Sequence, residues 1–203
     1  DDRHDLDFGE GIRVSLRLDP DCLMVGELRE ADAATQAVNA AVHGHVVLAT
    51  MHSRDAASAV TRLRNFGLAD HQIAAALGVV VNQRLVRKLC RSCCEIRKPS
   101  GRETAYFEDR GVAAPDQAGV AVGCEECADT GYHGRTGVFE VWNLTEQDYL
   151  GILQGDDEQS LRKSRGEADH RRLIEDALEK VNSGTISVDE IVRVGIDLPW
   201  QSD

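Results

Sequence analysis

The chain has 203 residues, of which 42% are hydrophobic, and this is enough for a packed core in one large domain or two small ones. Its formal net charge of −12 disfavours binding to nucleic acid, which needs a basic face. The sequence contains neither a long apolar run nor a basic start followed by an apolar stretch, so we expect neither a membrane span nor a signal peptide.

The first third of the chain reads as a strand, a helix and a second strand. Residues 12–27 predict a strand-bearing entry that ends at Glu27. The stretch "EADAATQAVNAAVHG" has apolar residues at helical spacing, and Gly44 can close this helix. The next stretch, "HVVLATM" at 45–51, is β-branched and nearly all apolar, which is typical of a strand buried on both faces.

Two further helices follow in the prediction. One begins at Ser53 or Asp55 and ends at Gly67, and the other covers 70–87. This alternation of strands and helices predicts an α/β fold, with a parallel sheet, flanking helices and right-handed crossovers.

The character of the sequence changes at Cys90. Residues 90–140 are irregular and contain glycines and cysteines, with a polar insertion at 95–123. From residue 144 the pattern is helical, and "TISVDEIVRVG" has Ser187 and Glu190 at the spacing of a capping box.

Five of the six cysteines lie in two tight clusters. Cys90 with Cys93, and Cys124 with Cys127, form two C-x-x-C knuckles whose sulfurs can converge on one tetrahedral Zn²⁺. Four thiolates leave no open position, which indicates a structural site that holds a loop-rich segment. Cys94 breaks the spacing and is interpreted as a bystander. The alternative is that these are unrelated buried or redox-active cysteines.

A basic segment overlaps the first knuckle. Residues 83–102 carry seven basic residues against one acid, Glu95. The segment is either a solvated face or a site for phosphate, anionic lipid or an acidic partner.

Polar side chains follow the two predicted strands. Glu27 ends the first, while Thr50 and His52 end the second, and ligands of parallel α/β sheets bind beyond the carboxyl ends of strands. His45 lies at the other end of the second strand. The simpler alternatives are an acid that caps the next helix and histidines with structural roles.

Two arginines precede this acid. Arg13 and Arg17 have i, i+4 spacing and could offset charge near a phosphate, or form surface salt bridges with nearby acids. A phosphate-binding loop of the form G-x-x-x-x-G-K-[ST] does not occur in the 203 residues.

Taken in order, these stretches resemble one family, the hexameric ATPases that power type II secretion and type IV pilus assembly. "LRLDPDCLMVGELRE" resembles its Walker B segment, and "GHVVLATMHSRDAASAVTRL" resembles its His box. "NQRLVRKLC" resembles the entry to its metal domain, and "GCEECADTGYHGRTGVFEV" resembles the second half of its tetracysteine motif. "RRLIEDALEKVNSGTISVDEIVRV" resembles its C-terminal helical end. The pilus-retraction branch lacks the four cysteines, so the chain sides with secretion or pilus assembly.

The resemblance implies a fold and a division into domains. Residues 1–89 would be the C-terminal half of a RecA-like P-loop NTPase core. Residues 90–141 would be an inserted tetracysteine zinc subdomain, and residues 142–203 a C-terminal helical region.

The resemblance also implies ATP and Mg²⁺ as cofactors beside Zn²⁺, with ATP bound between subunits of a six-membered ring. Glu27 would take the Walker B role, in which it polarises water or supports Mg²⁺. His52 and His45 would belong to the His box that reports on the γ-phosphate. Arg13 and Arg17 fall where this family has arginines near the nucleotide.

The implied partners are further copies of the chain and inner-membrane platform proteins. The basic segment adds anionic lipid as a candidate partner, and the net charge disfavours nucleic acid. The implied location is cytoplasmic and peripheral to the inner membrane.

The sequence departs from the family pattern in several places. The Walker A loop, the acidic Asp box and the N-terminal docking domain would all precede Asp1, so we expect the chain to be inactive alone. Ser53 and Arg54 replace the usual Thr and Asn of the His box, and Cys22 replaces an aliphatic residue.

Two other classes of function remain open at this point. One is a non-catalytic zinc-binding docking module derived from such an ATPase, and the other is a thiol oxidoreductase. Convergence of Glu27 and His52 on one pocket would favour the ATPase over the docking module. An oxidoreductase would require an accessible thiol of low pKa.

Overall fold

The computed structural model describes residues 7–164 and 170–196. The chain divides into two compact units, which are considered separately below. Unit 1 comprises residues 1–80 and 141–170, and unit 2 comprises residues 81–140 and 171–203.

Helices and strands alternate in the first part of the chain. The elements up to residue 76 are α1 Phe8–Leu16, β1 Cys22–Val25, α2 Ala31–Val42, β2 Val46–Ala49, α3 Ala56–Asn65 and α4 Asp70–Ala76. The next elements are β3 Val79–Leu89, β4 Glu95–Arg97, α5 Gly101–Glu108, β5 Ala118–Val120 and β6 Tyr132–Asn143. The last elements are α6 Glu146–Leu153, α7 Glu158–Ser164, β7 His170–Arg171, α8 Leu173–Asn182 and α9 Val188–Val194.

Strands β1 and β2 form the parallel pair of unit 1. Their register places Leu23 opposite Val47 and Met24 opposite Leu48. Leu23 is buried and Val47 packs against the same cluster, whereas Met24 and Leu48 are 77% and 57% exposed. The prediction that the second strand is buried on both faces is therefore wrong. Helices cover one face of this two-stranded sheet, and within the described residues nothing covers the other.

Two apolar clusters stabilise unit 1. Helices α1 and α2 and the inner face of β1 and β2 enclose the smaller one, which consists of Ile12, Leu23, Val25, Leu28, Ala33 and Ala37. The larger one joins α2, α3, α4, α6 and α7 around Val60, Ile73, Trp142, Ile152 and Leu161. Ala34 of α2 and Ala56 and Ala57 of α3 are fully buried in this larger cluster.

The helix boundaries in unit 1 follow the sequence signals in most places. Asp55 caps α3 by accepting a hydrogen bond of 2.8 Å from the Ser58 N–H. Gly44 and Gly67 follow α2 and α3 with φ of 101° and 86°, a conformation that favours glycine. Helix α1 differs from the prediction, which places a strand-bearing entry at 12–27 where residues 12–16 are helical.

One predicted helix is partly wrong. Helix α4 ends at Ala76, and residues 79–89 form the long strand β3 instead of continuing the helix. Gly78 interrupts the helix, and the three valines that follow favour a strand. The buried side chains of this strand, Asn82, Val86 and Leu89, recur at spacings that resemble a helix, which explains the error.

Unit 2 packs α8 and α9 against strands and the short helix α5. Its core includes Val86, Phe107, Val138, Ile174 and Ile191, each of which is fully buried. The insertion at 95–123 is not wholly irregular, since it contains α5 and the antiparallel pair β4–β5.

Strands β3, β6 and β7 form a three-stranded sheet in that order. No helix in the described part of the chain has the length and apolar character needed to cross a membrane.

Candidate nucleotide and metal sites

The ends of β1 and β2 bring Glu27 and His52 together. Because the two strands are parallel, the loops that follow Val25 and Ala49 emerge at the same edge of the sheet. The His52 Nε2 atom lies 3.1 Å from Glu27 Oε1. Glu27 is 20% exposed and His52 is 89% exposed, so the pair faces solvent at this edge.

Thr50 ties the same two loops to each other. The Leu28 N–H donates a hydrogen bond of 2.8 Å to the Thr50 carbonyl. The Thr50 hydroxyl donates to the Gly26 carbonyl in the opposite direction. The backbone that carries Glu27 is therefore held in register with the backbone that carries His52.

Arg29 is part of this site, although the sequence analysis did not identify it. Its Nη2 atom lies 2.6 Å from Glu27 Oε2, so Arg29 and His52 occupy different oxygens of one carboxylate. The hydrogen bond from Arg29 holds the pKa of Glu27 below its ordinary value. Glu27 is therefore a carboxylate at neutral pH, and it acts as an acceptor.

The other predicted nucleotide residues do not join this group. On α1, Arg13 forms hydrogen bonds of 3.0 and 3.1 Å to Asp32. Arg17 follows the same helix and is exposed, without a side-chain partner in the described residues. His45 precedes β2, at the end of the strand opposite His52, and its Nδ1 lies 3.2 Å from the Ala40 carbonyl oxygen.

An ion-pair network holds the segment that follows His52. Arg162 on α7 forms a hydrogen bond of 2.9 Å to Asp55, and Arg54 forms one of 2.9 Å to Glu158. Arg162 and Glu158 also pair with each other. Burial raises the pKa of Asp55, but the Ser58 N–H and the Arg162 guanidinium outweigh this effect and lower it. The sequence gives no signal for the pairs Arg162–Asp55 and Arg54–Glu158, because the members of each are about a hundred residues apart.

The four cysteines of the two knuckles form one compact cluster in unit 2. The sulfur atoms of Cys90 and Cys124 are 3.9 Å apart, and those of Cys93 and Cys127 are 3.8 Å apart. The sulfurs of Cys124 and Cys127 are 3.7 Å apart. Four sulfurs at about 2.3 Å from one tetrahedral Zn²⁺ would be separated by about 3.8 Å. The cluster therefore fits a metal ion, and these distances are far too long for disulfides.

Hydrogen bonds favour the thiolate form of Cys127, one of these four cysteines. Burial raises the pKa of Cys127, but N–H groups of Cys124 and Gly131 and the neighbouring thiols lower it to about 6. Burial raises the pKa of Cys93 to about 12, and the other sulfurs add to this effect. A cation among the four sulfurs would favour the thiolate at each of them.

Cys94 and Cys22 lie outside the metal cluster. Cys94 is half-buried beside it, and Cys22 is exposed on β1. The interpretation of Cys94 as a bystander agrees with this arrangement.

Comparison with known proteins identifies the family. The model of the family described as "Type II/IV secretion system protein" matches residues 1–193. The putative type II secretion system protein E of Escherichia coli K12 is 38% identical over 192 residues, which cover 95% of the chain and 38% of the relative. The type IV pilus assembly ATPase TfpB of Acinetobacter baylyi is 38% identical over 196 residues, which cover 94% of the chain and 33% of TfpB.

Solved structures show the same fold. The Legionella pneumophila ATPase DotB superposes with a TM-score of 0.62 at 22% identity, and the match covers 95% of the chain and 44% of DotB. The α/β fold class predicted from the sequence, with its tetracysteine cluster and helical C-terminal segment, is thereby confirmed. The chain spans well under half of the length of the relatives that it matches. It belongs to the type II/IV secretion system protein family.

Proposed function

We propose that this chain is part of a hexameric ATPase that hydrolyses ATP to power type II protein secretion or type IV pilus assembly. The observation that carries the proposal is the contact of 3.1 Å between Glu27 and His52 at the edge where β1 and β2 end. A docking module that had lost its chemistry would have no need to keep an acid and an imidazole together there.

Glu27 serves as the Walker B acid, and its lowered pKa supports this role. A carboxylate that stays charged accepts hydrogen bonds from water and supports Mg²⁺. When bound, Mg²⁺ would neutralise charge on the transferred phosphoryl group. His52 lies beside the acid, where it senses the γ-phosphate, and the polar Thr50 follows the same strand.

Three further residues are proposed as nucleotide contacts from the family resemblance. Nucleotide would contact Arg13 and Arg17 if the complete ATPase places phosphate near α1. It would contact His45 if phosphate lies near the start of β2. The pairing of Arg13 with Asp32 would then have to break.

The domain boundaries stay as proposed from the sequence. The ATPase core comprises residues 1–89, the zinc subdomain residues 90–141 and the helical region residues 142–203. Zn²⁺ bound by Cys90, Cys93, Cys124 and Cys127 is structural, because four protein ligands complete a tetrahedral shell.

The proposed assembly is a ring of six copies between which ATP binds. It works in the cytoplasm at the inner membrane, against platform proteins of the secretion or pilus machine and with anionic lipid nearby.

The chain alone is proposed to be an incomplete enzyme. It contains no G-x-x-x-x-G-K-[ST] loop, whose backbone N–H groups would hold the phosphates. We therefore expect the purified 203-residue chain to show weak ATP hydrolysis or none. Measurable turnover by this chain that Glu27→Gln abolishes would show that the phosphate-binding loop is not needed.

The decisive experiment uses the complete protein encoded by the reading frame that contains this chain. We expect it to hydrolyse ATP in the presence of Mg²⁺, and Glu27→Gln to lower kcat by about 10²–10³-fold, as the loss of one group that acts on the transition state does. Glu30→Gln is the matched control, because Glu30 is an exposed acid that makes no side-chain capping bond to α2. Equal activities of the two variants would remove Glu27 from the proposed mechanism.

A further inference from the structure

A cleft of about 690 Å³ opens in unit 2 beside the tetracysteine cluster. Its lining comes from the end of β3, both cysteine knuckles, β4, the start of β6 and the turn between α8 and α9. The ATPase mechanism proposed above uses none of these residues apart from the knuckles that hold zinc.

The cleft collects unpaired basic side chains. Three basic residues line the cleft: Lys88, Arg91 and His133. All three are exposed, and none forms a side-chain hydrogen bond or ion pair with a described residue. Two other arginines of the unit are paired with acids, Arg87 with Glu190 and Arg97 with Glu103. Three basic groups without acidic partners make this cleft locally positive in a chain whose net charge is −12.

A single acid shares the lining. Glu126 accepts a hydrogen bond from the Ser92 hydroxyl and forms no ion pair with the described basic residues. Two permanent positive charges, on Lys88 and Arg91, therefore face one negative charge in the cleft.

The cleft also has apolar walls. Leu89 and Ile96 contribute to the lining; Ile96 is 49% exposed and supplies most of this apolar surface, whereas Leu89 is 4% exposed. Gly134 keeps the space next to Lys88 open, because a Cβ atom there would lie 3.2 Å from Lys88 Cε. The volume is much larger than an inorganic anion requires, and the walls suit a ligand that has apolar groups beside its negative charges.

We propose that this cleft binds an acidic, extended segment of a partner protein, in which carboxylates alternate with apolar side chains. The carboxylates bind to Lys88, Arg91 and His133, and the apolar side chains pack against the exposed side chain of Ile96. The basic groups line a cleft, whereas a bilayer presents a flat surface, so a peptide is favoured over a membrane. The proposal does not depend on ATP hydrolysis.

The test uses the zinc-loaded 203-residue chain, labelled with ¹⁵N, and a short capped peptide of alternating glutamate and leucine. We expect the peptide to shift the amide signals of Leu89, Arg91 and His133, and added salt to weaken this binding. Arg91→Glu should raise the dissociation constant at least about tenfold. The peptide in which glutamine replaces glutamate should bind at least about tenfold more weakly.

Matched variants separate the cleft from general charge. Arg102→Glu makes the same change at an exposed arginine of α5 outside the cleft, and it should leave the affinity unchanged. Arg91 lies between two zinc ligands, so Lys88→Glu serves as a second variant, with zinc content measured for both.

Three outcomes would overturn the proposal. The first is equal affinity for the charged and the glutamine peptide, and the second is unchanged affinity in both cleft variants. In the third, inorganic phosphate or phosphatidylglycerol vesicles bind through Lys88 and Arg91 while the acidic peptide does not.

Discussion

Glu190 is a buried carboxylate that joins α9 to β3 in unit 2. It accepts hydrogen bonds of 2.8 and 2.7 Å from the backbone N–H and the Nε of Arg87, and one of 2.8 Å from Arg193 Nη2. Burial raises the pKa of Glu190, but hydrogen bonds from the two arginines outweigh this effect and lower it to about 2. The capping box predicted here forms only in part, since Ser187 caps the helix while Glu190 turns to the arginines.

The lowered pKa makes this site sensitive to acid. Because the folded state holds the proton less tightly than the unfolded state, the stabilisation is present above the ordinary pKa of 4.5 and is lost as the pH falls towards 2. Glu190→Gln should lower the free energy of unfolding at pH 7 by roughly 2–3 kcal/mol, since both arginines are partly solvated. Urea denaturation across this pH range measures the effect.

The exposed acid Glu108 on α5 provides the control for this measurement. Glu108→Gln should change the free energy of unfolding little, both at pH 7 and as the pH falls from 4.5 towards 2. If wild type and Glu190→Gln lose stability in parallel between pH 4.5 and pH 2, then Glu190 is not the group responsible.

At the residue scale, part of the candidate site could be predicted from sequence. Glu27 and His52 each follow a strand, and parallel pairing then requires both to lie at one edge, as they do. The partnership of Arg29 with Glu27 could not be predicted in this way. Arg29 is 67% exposed in a loop, and its partner depends on the side-chain rotamer and not on any periodic pattern.

At the scale of elements, α7 holds the segment between β2 and α3 through Arg162. Arg162→Ala would leave Asp55 half-buried without its cation, so we expect a loss of roughly 1–3 kcal/mol in the free energy of unfolding. Lys163→Ala, at the neighbouring exposed position, should have little effect. The two variants can be compared by thermal unfolding, and equal melting temperatures would show that the pairing contributes nothing.

The two cysteine knuckles make a second prediction at this scale. The purified chain should contain about one Zn²⁺ per molecule, and Cys93→Ser should lose most of it because one of four ligands is removed. Cys94→Ser changes the adjacent thiol, which lies outside the cluster, and should retain the metal. Zinc analysis by mass spectrometry distinguishes the two variants, and metal loss in both or in neither would contradict the assignment.

The helices that could be predicted are those with both a periodic apolar pattern and a glycine that ends them. Helices α2 and α3 have apolar spacing and a terminal glycine, and both were predicted correctly. Strand β3 was predicted as a helix because its inward-facing residues mimic helical spacing, and only its run of valines and Gly78 argue otherwise. Helix α5 lies in a polar insertion where a single buried side chain, Phe107, provides little pattern.

At the scale of the whole molecule, each unit has its own apolar core, and the metal cluster lies in unit 2. Removal of zinc with a chelator should therefore broaden or shift the amide signals of β4, β5 and α5. The signals of α2 and α3 in unit 1 should change little. A ¹⁵N-correlated spectrum before and after chelation tests this, and uniform loss of signals from both units would show that they unfold together.

The uncovered face of β1 and β2 affects how the purified protein behaves in solution. This face exposes the apolar side chains of Met24, Val46 and Leu48 to solvent. Within the described residues, each of the two strands also has one edge without backbone pairing. A neighbouring molecule can dock on these side chains or add a strand to either edge. We therefore expect concentrated solutions of the protein to aggregate through this apolar face unless another surface covers it.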